Sequence, residues 1–246
     1  VVYGSADRTS NVQHDDFDGD SGFRITDNSH SIYLTALPAA LGDINNDGFD
    51  DFAISSKGDS IIFLGSATNA SDTDIANLPA AAGFVIAGAE SIAAAGDIDG
   101  DGETEFFVGD TDASDGDARM YVVSADTLAA ASDLDDIAAG ADLVIRGDGG
   151  TLVVAAAGDY NGDGIGDFLV DDAASGTPNS RLKLVFGGQS GEIDLADLQA
   201  GQGFAITGAT TPMRPGALPP LATSTATVWT TSLSVRRASR NGTGPM

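Results

Sequence analysis

The stretch Asp43-Ile-Asn-Asn-Asp-Gly-Phe-Asp-Asp51 decides how the chain is read, because it returns twice, as Asp97-Ile-Asp-Gly-Asp-Gly-Glu-Thr-Glu105 and Asp159-Tyr-Asn-Gly-Asp-Gly-Ile-Gly-Asp167. Oxygen-bearing side chains hold positions 1, 3, 5 and 9 of every copy: Asp43, Asn45, Asp47 and Asp51, then Asp97, Asp99, Asp101 and Glu105, then Asp159, Asn161, Asp163 and Asp167. Glycine holds position 6 in all three, and a further glycine (Gly42, Gly96 or Gly158) precedes position 1.

This spacing suits a calcium ion. A hard divalent cation takes six to eight oxygens at roughly 2.3–2.6 Å, and oxygens at alternate positions of a tightly curled loop can face one centre. Glycine at position 6 allows the sharp turn, since it lacks the Cβ that disfavours positive φ. The backbone carbonyl of position 7 (Phe49, Glu103 or Ile165) would add one more oxygen, and the variety of its side chains is what backbone-only use predicts. About three Ca²⁺ ions are expected, one for each loop, with a structural role. The second loop carries four carboxylates against three in each of the others, so it is expected to bind most tightly.

Loops that begin in this way end differently, and the ending discriminates. An EF-hand places a bidentate Glu at position 12 and runs into a helix. Here position 12 is Ile54, Val108 or Val170. The following runs, Phe52-Ala-Ile-Ser55, Phe106-Phe-Val-Gly109 and Phe168-Leu-Val-Asp171, read as short buried strands. Dockerin-type loops also continue into a helix and are disfavoured for the same reason. The loops therefore read as connections between two β-strands.

The rest of the chain repeats in step. Asp43, Asp97 and Asp159 recur at spacings of 54 and 62 residues, the range of propellers and solenoids. A strand follows each loop (51–56, 105–110, 167–171), then a polar turn, then a second strand (60–65, 118–123, 181–187). A linker rich in Asp, Leu and Ala comes next, with a helical turn expected around 127–139, and leads to a third strand (83–88, 141–147, 203–208). Small-residue runs such as 91–96 and 151–158 then lead into the next acidic loop. Four strands per unit predict a propeller blade. The strand after each loop is apolar at Phe52, Phe106 and Phe168, and also at the intervening Ala53, Phe107 and Leu169, as expected of a strand covered on both faces.

Residues 1–27 fit the same frame as a partial unit without a metal loop; Asp16, Asp18 and Asp20 fail the pattern at Ser21 and Arg24. The full units lie near 31–88, 90–147 and 151–208. Residues 210–246 contain no Asp or Glu, four Arg and five of the eight prolines, and read as a disordered or non-native tail. The opening Val1-Val-Tyr-Gly4 reads as mid-strand, so the sequence is expected to be a fragment of a longer protein.

Bulk properties narrow the partners. The formal charge of −26, from 37 acidic and 11 basic residues, disfavours nucleic acid and anionic membrane surfaces. No apolar run approaches the roughly 18 residues of a membrane span, and no signal peptide is visible. The absence of cysteine removes disulfides, thiolate nucleophiles and Cys-based zinc sites, and fits a bacterial surface protein better than an animal ectodomain.

The pattern Gly-Asp-x-[Asn/Asp]-x-Asp-Gly-x-x-[Asp/Glu]-Phe followed by a short apolar strand resembles the FG-GAP repeat of integrin α-subunit β-propellers, and more closely that of bacterial surface proteins carrying such repeats. The resemblance covers residues 1–209. It implies an all-β fold, a partial β-propeller of four-stranded blades with about three and a half of a probable seven present, and Ca²⁺ in the loop between the first and second strands. It also implies extracellular or cell-surface adhesion. The family's Gly-Ala-Pro after the inner strand is replaced here by Ser55-Ser56, Gly109-Asp110 and Asp171-Asp172, which puts close packing at that turn and any integrin-like ligand surface in question.

The favoured expectation is a non-enzymatic, calcium-stabilised module that binds a protein or glycan. The alternative is a non-catalytic propeller appended to a secreted glycan- or phospholipid-hydrolysing enzyme whose catalytic domain lies outside this sequence. Catalysis by the propeller itself is a third reading. His14 and His30 are the only imidazoles and read as loop or surface residues, and no nucleophile elbow, P-loop or dinucleotide fingerprint appears. Asp110, Asp112, Asp115 and Asp117 read as a solvated acidic turn, and Asn69-Ala-Ser71 and Asn241-Gly-Thr243 as formal sequons. Because an open arc of blades leaves strand edges exposed, self-association through those edges is expected.

Overall fold

The structure, a computed structural model, describes residues 1, 22–27, 34, 37–56, 58–67, 72–110, 118–147, 150–174 and 181–206. The readings made of the tail 210–246, of His14 and His30, of Asp16, Asp18 and Asp20, of Asp112, Asp115 and Asp117 and of the two sequons lie outside those residues.

The described chain is all-β with two short helices. After β1 (Ile25–Thr26), the first full unit contains β2 (Ala39–Gly42), β3 (Asp51–Ser56), β4 (Asp59–Phe63), β5 (Thr73–Asp74) and β6 (Gly83–Ile86). The second contains β7 (Ser91–Gly96), β8 (Glu105–Asp110), β9 (Arg119–Val123), helix α1 (Ala125–Ala130), helix α2 (Leu134–Gly140) and β10 (Leu143–Arg146). The third contains β11 (Gly150–Gly158), β12 (Asp167–Ala174), β13 (Arg181–Val185), β14 (Gly191–Asp194) and β15 (Gly203–Ala205). Each unit builds an antiparallel four-stranded sheet in chain order: β2-β3-β4-β6, β7-β8-β9-β10 and β11-β12-β13-β15. All three are open sheets. Each acidic loop joins the first two strands of its sheet, as the sequence predicts.

The linkers do something the sequence reading does not anticipate. Each turns back to meet the end of the preceding unit in parallel, two of them as strands on its last strand and one by a single bridge just beyond it. Thr73 and Asp74 of β5 lie opposite Ile25 and Thr26, Asp133 bridges to Ala87, and β14 lies along β10 with Ile193 opposite Ile145. The second sheet thereby gains a fifth strand. An aspartate ends each docked segment and caps the turn that follows. Asp74 accepts from the Ala76 N–H at 3.2 Å, Asp133 from Asp136 at 3.0 Å and Asp194 from Ala196 at 2.8 Å, which satisfies a first-turn amide left without an intrahelical partner. The helical turn expected around 127–139 is thus two helices, α1 and α2, the first capped by Ser124 and the second by Asp133.

The sheets stack face to face, which explains why the strand after each loop is apolar on both sides. Phe106, Val108, Tyr121 and Val123 on one face of the second sheet pack with Ala53, Ile62 and Leu41 of the first. Phe107, Met120 and Val122 on its other face pack with Phe168, Val170 and Val185 of the third. The Phe107 and Phe168 rings meet edge to face at 5.2 Å, a favoured aromatic geometry. The linkers close these seams: Leu128 and Ile137 are buried between the first two sheets, Ile193 and Leu195 between the last two.

The positions that depart from Gly-Ala-Pro hold a buried polar layer. The Ser55 and Ser60 hydroxyls lie 3.0 Å apart, and Ser60 Oγ donates to the Ala89 carbonyl at 2.8 Å. At the matching level of the third sheet, Asp172 pairs with Lys183 at 3.3 Å, both buried. Gly109 leaves room for Ser91 and Met120, whose side chains a Cβ there would strike. The serine pair and the Asp172–Lys183 pair each cover their polar groups across neighbouring strands.

If the sheet stack is held by these shared cores, Phe168→Ala should cost about 3–5 kcal/mol of unfolding free energy, the usual range for emptying a buried phenylalanine site. Urea denaturation monitored by circular dichroism measures it; a loss under about 1 kcal/mol would mean that the third sheet does not share a core with the second.

Candidate metal centres

The three loops have one backbone construction. The glycine before position 1 sits at a β-bulge, with the register shifting between Ala40 and Gly42, Ala94 and Gly96, and Ala156 and Gly158. Its φ is +74°, +82° and +68° in turn, a conformation that glycine adopts without steric cost. The position-6 glycines Gly48, Gly102 and Gly164 have φ of +94°, +92° and +93°. Position 4 is left-handed as well, in Asn46, Gly100 and Gly162. The sequence reading passes over position 4, although its signal was present: asparagine and glycine are the residues that enter this region most readily.

The side-chain oxygens of positions 1, 3 and 5 are turned into the loop by its own amides. In the first loop the Asp47 N–H lies 3.0 Å from Asp43 Oδ1 and 3.1 Å from Asn45 Oδ1 and donates to both. Gly48 donates to Asp43 Oδ2 at 2.8 Å and Phe49 to Asp47 Oδ1 at 3.0 Å. The third loop repeats this with Asp163 donating to Asp159 and Asn161, Gly164 to Asp159, and Ile165 to Asp163. In the second, Gly100 and Gly102 donate to Asp97, Asp101 donates to Asp99 and Glu103 donates to Asp101.

Position 9 is different, because its carboxylate is buried. Asp51, Glu105 and Asp167 are nearly inaccessible, and each accepts the N–H of position 2: Ile44 at 2.9 Å, Ile98 at 2.8 Å and Tyr160 at 2.7 Å. The other oxygen of Asp51 accepts from Gly65 at 2.6 Å, and that of Asp167 from Gly187 at 3.0 Å. These glycines follow the second strand and must be small. A Cβ at Gly65 would lie 2.7 Å from Phe49 Cβ, and one at Gly187 would lie 2.6 Å from Ile165 Cγ2. Phe49 Cβ and Ile165 Cγ2 thus lie directly against these glycines. Position 2 anchors the loop from below: Ile44 and Ile98 belong to the two inter-sheet cores.

Among the described residues, one group of three carboxylates converges. Asp97, Asp99 and Glu105 each place an oxygen within 4.8 Å of the others. Asp101 and Glu103 lie outside that trio; the other two loops carry Asn45 and Asn161 at position 3, where an amide oxygen takes the place of a carboxylate. Glu105 has a longer arm than the aspartates at this position and both accepts the Ile98 N–H and joins Asp97 and Asp99. Burial, reinforced by repulsion from Asp99, Asp101 and Asp97, pushes the Glu105 carboxyl from its ordinary 4.5 up to about 7. Asp51 is raised by burial as well, with Asp47 and Asp43 adding repulsion and the Gly65 and Ile44 amides opposing it.

All these donors are hard oxygens, and the two histidines of the chain belong to none of the loops. Such a set suits Ca²⁺ or Mg²⁺ over the softer transition metals. Comparison with protein-family models gives no match for this chain, and comparison with curated proteins gives none either. No helix among the described residues is long and apolar enough to cross a membrane.

The pKa shifts fix a sign. A carboxyl whose folded pKa is raised holds more protons folded than unfolded between the two values, so stability falls as pH rises through that window. In metal-free buffer the melting temperature should therefore fall between pH 4.5 and about 7, the span over which Glu105 titrates in the unfolded and folded chain. Glu105→Gln should flatten that slope. A rising melting temperature across the same window would contradict the assignment.

Proposed function

We propose that the chain is a calcium-binding repeat module in which each of the three loops holds one structural ion. The three sheets are then successive four-stranded blades of an incomplete propeller, as the resemblance to FG-GAP repeats implies. The observation that carries this reading is the common build of the loops, with oxygens at positions 1, 3 and 5 turned inward by loop amides and a buried carboxylate at position 9 closing the turn. Asp97, Asp99 and Glu105, which converge within 4.8 Å, support it most directly. A divalent ion would offset the repulsion that these groups exert on one another.

The residues that would hold the ions are Asp43, Asn45, Asp47 and Asp51 with the Phe49 carbonyl; Asp97, Asp99, Asp101 and Glu105 with the Glu103 carbonyl; and Asp159, Asn161, Asp163 and Asp167 with the Ile165 carbonyl. Calcium supplies no reaction step in this reading. It fixes the crossover between the first two strands of each blade, so the module presents a rigid surface. The module is a binding scaffold working outside the cell, where millimolar calcium suits loops of this kind. Its ligand is a protein or glycan, and the charge of −26 favours partners that are neutral or basic.

Calorimetric titration with CaCl₂ should give about three sites in the range of roughly 10⁻⁴–10⁻³ M or tighter, the second loop tightest. Asp47→Ala, Asp101→Ala and Asp163→Ala should each remove about one site. At a free calcium concentration a hundredfold above Kd, each site adds about 2.7 kcal/mol to unfolding free energy. Identical melting in chelator and in millimolar calcium would defeat the proposal.

A further inference from the structure

We infer that the outer edge of β15 is a docking site for an extended segment of a second polypeptide, which adds to the third sheet as a parallel strand. The incoming segment has aliphatic residues at alternate positions and an aspartate at its end. The inference rests on the strand pairing and on the exposed apolar side chains beside it, and is independent of calcium and of the propeller reading.

The observations come from the other units. Gly83, Leu143 minus one (Asp142) and Gly203 are equivalent by register, as are Val85, Val144 and Ala205, which stand opposite Ile61, Tyr121 and Lys183. A returning linker pairs with the outer side of β1 and of β10, and beyond the end of β6 it bridges to Ala87. Thr73 donates to the Arg24 carbonyl at 2.8 Å beside β1. Ala87 donates to the Ser132 carbonyl at 3.1 Å and accepts from Leu134 at 2.9 Å beyond β6. Gly191 donates to the Asp142 carbonyl at 2.9 Å beside β10. Thr26, Ala87 and Arg146 thus face Asp74, Asp133 and Asp194, the three capping aspartates, in one register.

Among the described residues β15 has a partner on one side only, β13. Gln202 accepts from Phe186 and Ile206 donates to Leu182, so these alternate residues turn toward β13. Ala205, between Phe204 and Ile206, turns its N–H and C=O outward, as does the Gly203 carbonyl. An edge of this kind is a template for strand addition.

The side chains agree. Leu143 is 3 % exposed in the core that holds Ile193 and Leu195 of its docked linker, whereas the equivalent Phe204 is 40 % exposed. Tyr160, at the loop position where Ile44 and Ile98 are buried, is 64 % exposed and lies 5.8 Å from the Phe204 ring. Edge and apolar cluster adjoin, and both match what β14 and the turn after it cover beside β10.

The probe is a labelled synthetic peptide, Gly-Glu-Ile-Asp-Leu-Ala-Asp-Leu, the sequence of the docked segment 191–198. It is titrated against the full chain at physiological ionic strength and followed by fluorescence anisotropy. Saturable binding is expected, with a scrambled peptide inert. Ala205→Pro removes the outward N–H without touching the β13 ladder and should weaken binding by at least about tenfold, at unchanged melting temperature. Hydrogen exchange on the unmutated chain gives a second reading: the Ala205 amide should exchange quickly alone and slow down when peptide is added. No saturable binding, equal binding of the scrambled peptide, or equal binding to Ala205→Pro overturns the inference. So does an Ala205 amide that is already protected before peptide is added, since the edge would then be occupied by the chain itself.

Discussion

Everything in this molecule turns on a buried carboxylate that ties the start of a loop to its end. Asp51, Glu105 and Asp167 each sit at the first residue of a strand and accept the N–H of the second loop residue, seven positions earlier. Removing a carboxylate from water is costly unless its oxygens are met by donors. Meeting them here requires the loop to close upon itself, and the closed loop brings the first two strands into register. The bulge glycine and the two left-handed loop positions follow from the same closure. Where the second oxygen also finds a donor, on Gly65 or Gly187, the third strand segment is drawn in as well.

The loops also communicate along the stack. Gly166 of the third loop donates to the Asp97 carbonyl of the second at 2.8 Å, and Gly188 donates to the Ile98 carbonyl at 2.7 Å. Ile165 closes over Gly100, where a Cβ would lie 3.3 Å from its side chain. The second and third loops therefore share backbone hydrogen bonds, and a change in the shape of one is felt by the other. In the second unit α1 begins where the other units place the glycine that meets position 9, and Glu105 is the buried acid that converges with Asp97 and Asp99.

Much of this was legible in the sequence because it is local. Alternating oxygens around a fixed glycine describe a loop whatever surrounds it, and an apolar run through Phe106 and Phe107 announces a strand covered on both faces. What escaped the sequence depends on partners distant in the chain. Thr73-Asp74 and Gly191–Asp194 carry no alternation strong enough to mark a strand; they become strands only when the edge of the preceding unit is present to receive them. That Ser55 would meet Ser60 and Asp172 would meet Lys183 in a buried layer was not legible either, since a polar side chain near a strand end looks the same whether it faces water or another buried polar group.

The returning linkers mean that the repeat written in the sequence and the sheet built in space are out of phase. A cut placed between residues 147 and 150, where the sequence repeat divides most naturally, would strip the second sheet of its fifth strand and bare Leu143 and Ile145 to solvent. Each unit is finished by its successor. Nature can lengthen such an array by duplicating a whole period, but the piece that stands alone is one sheet together with the borrowed turn of the next, and a dissection that honours only the sequence period severs it.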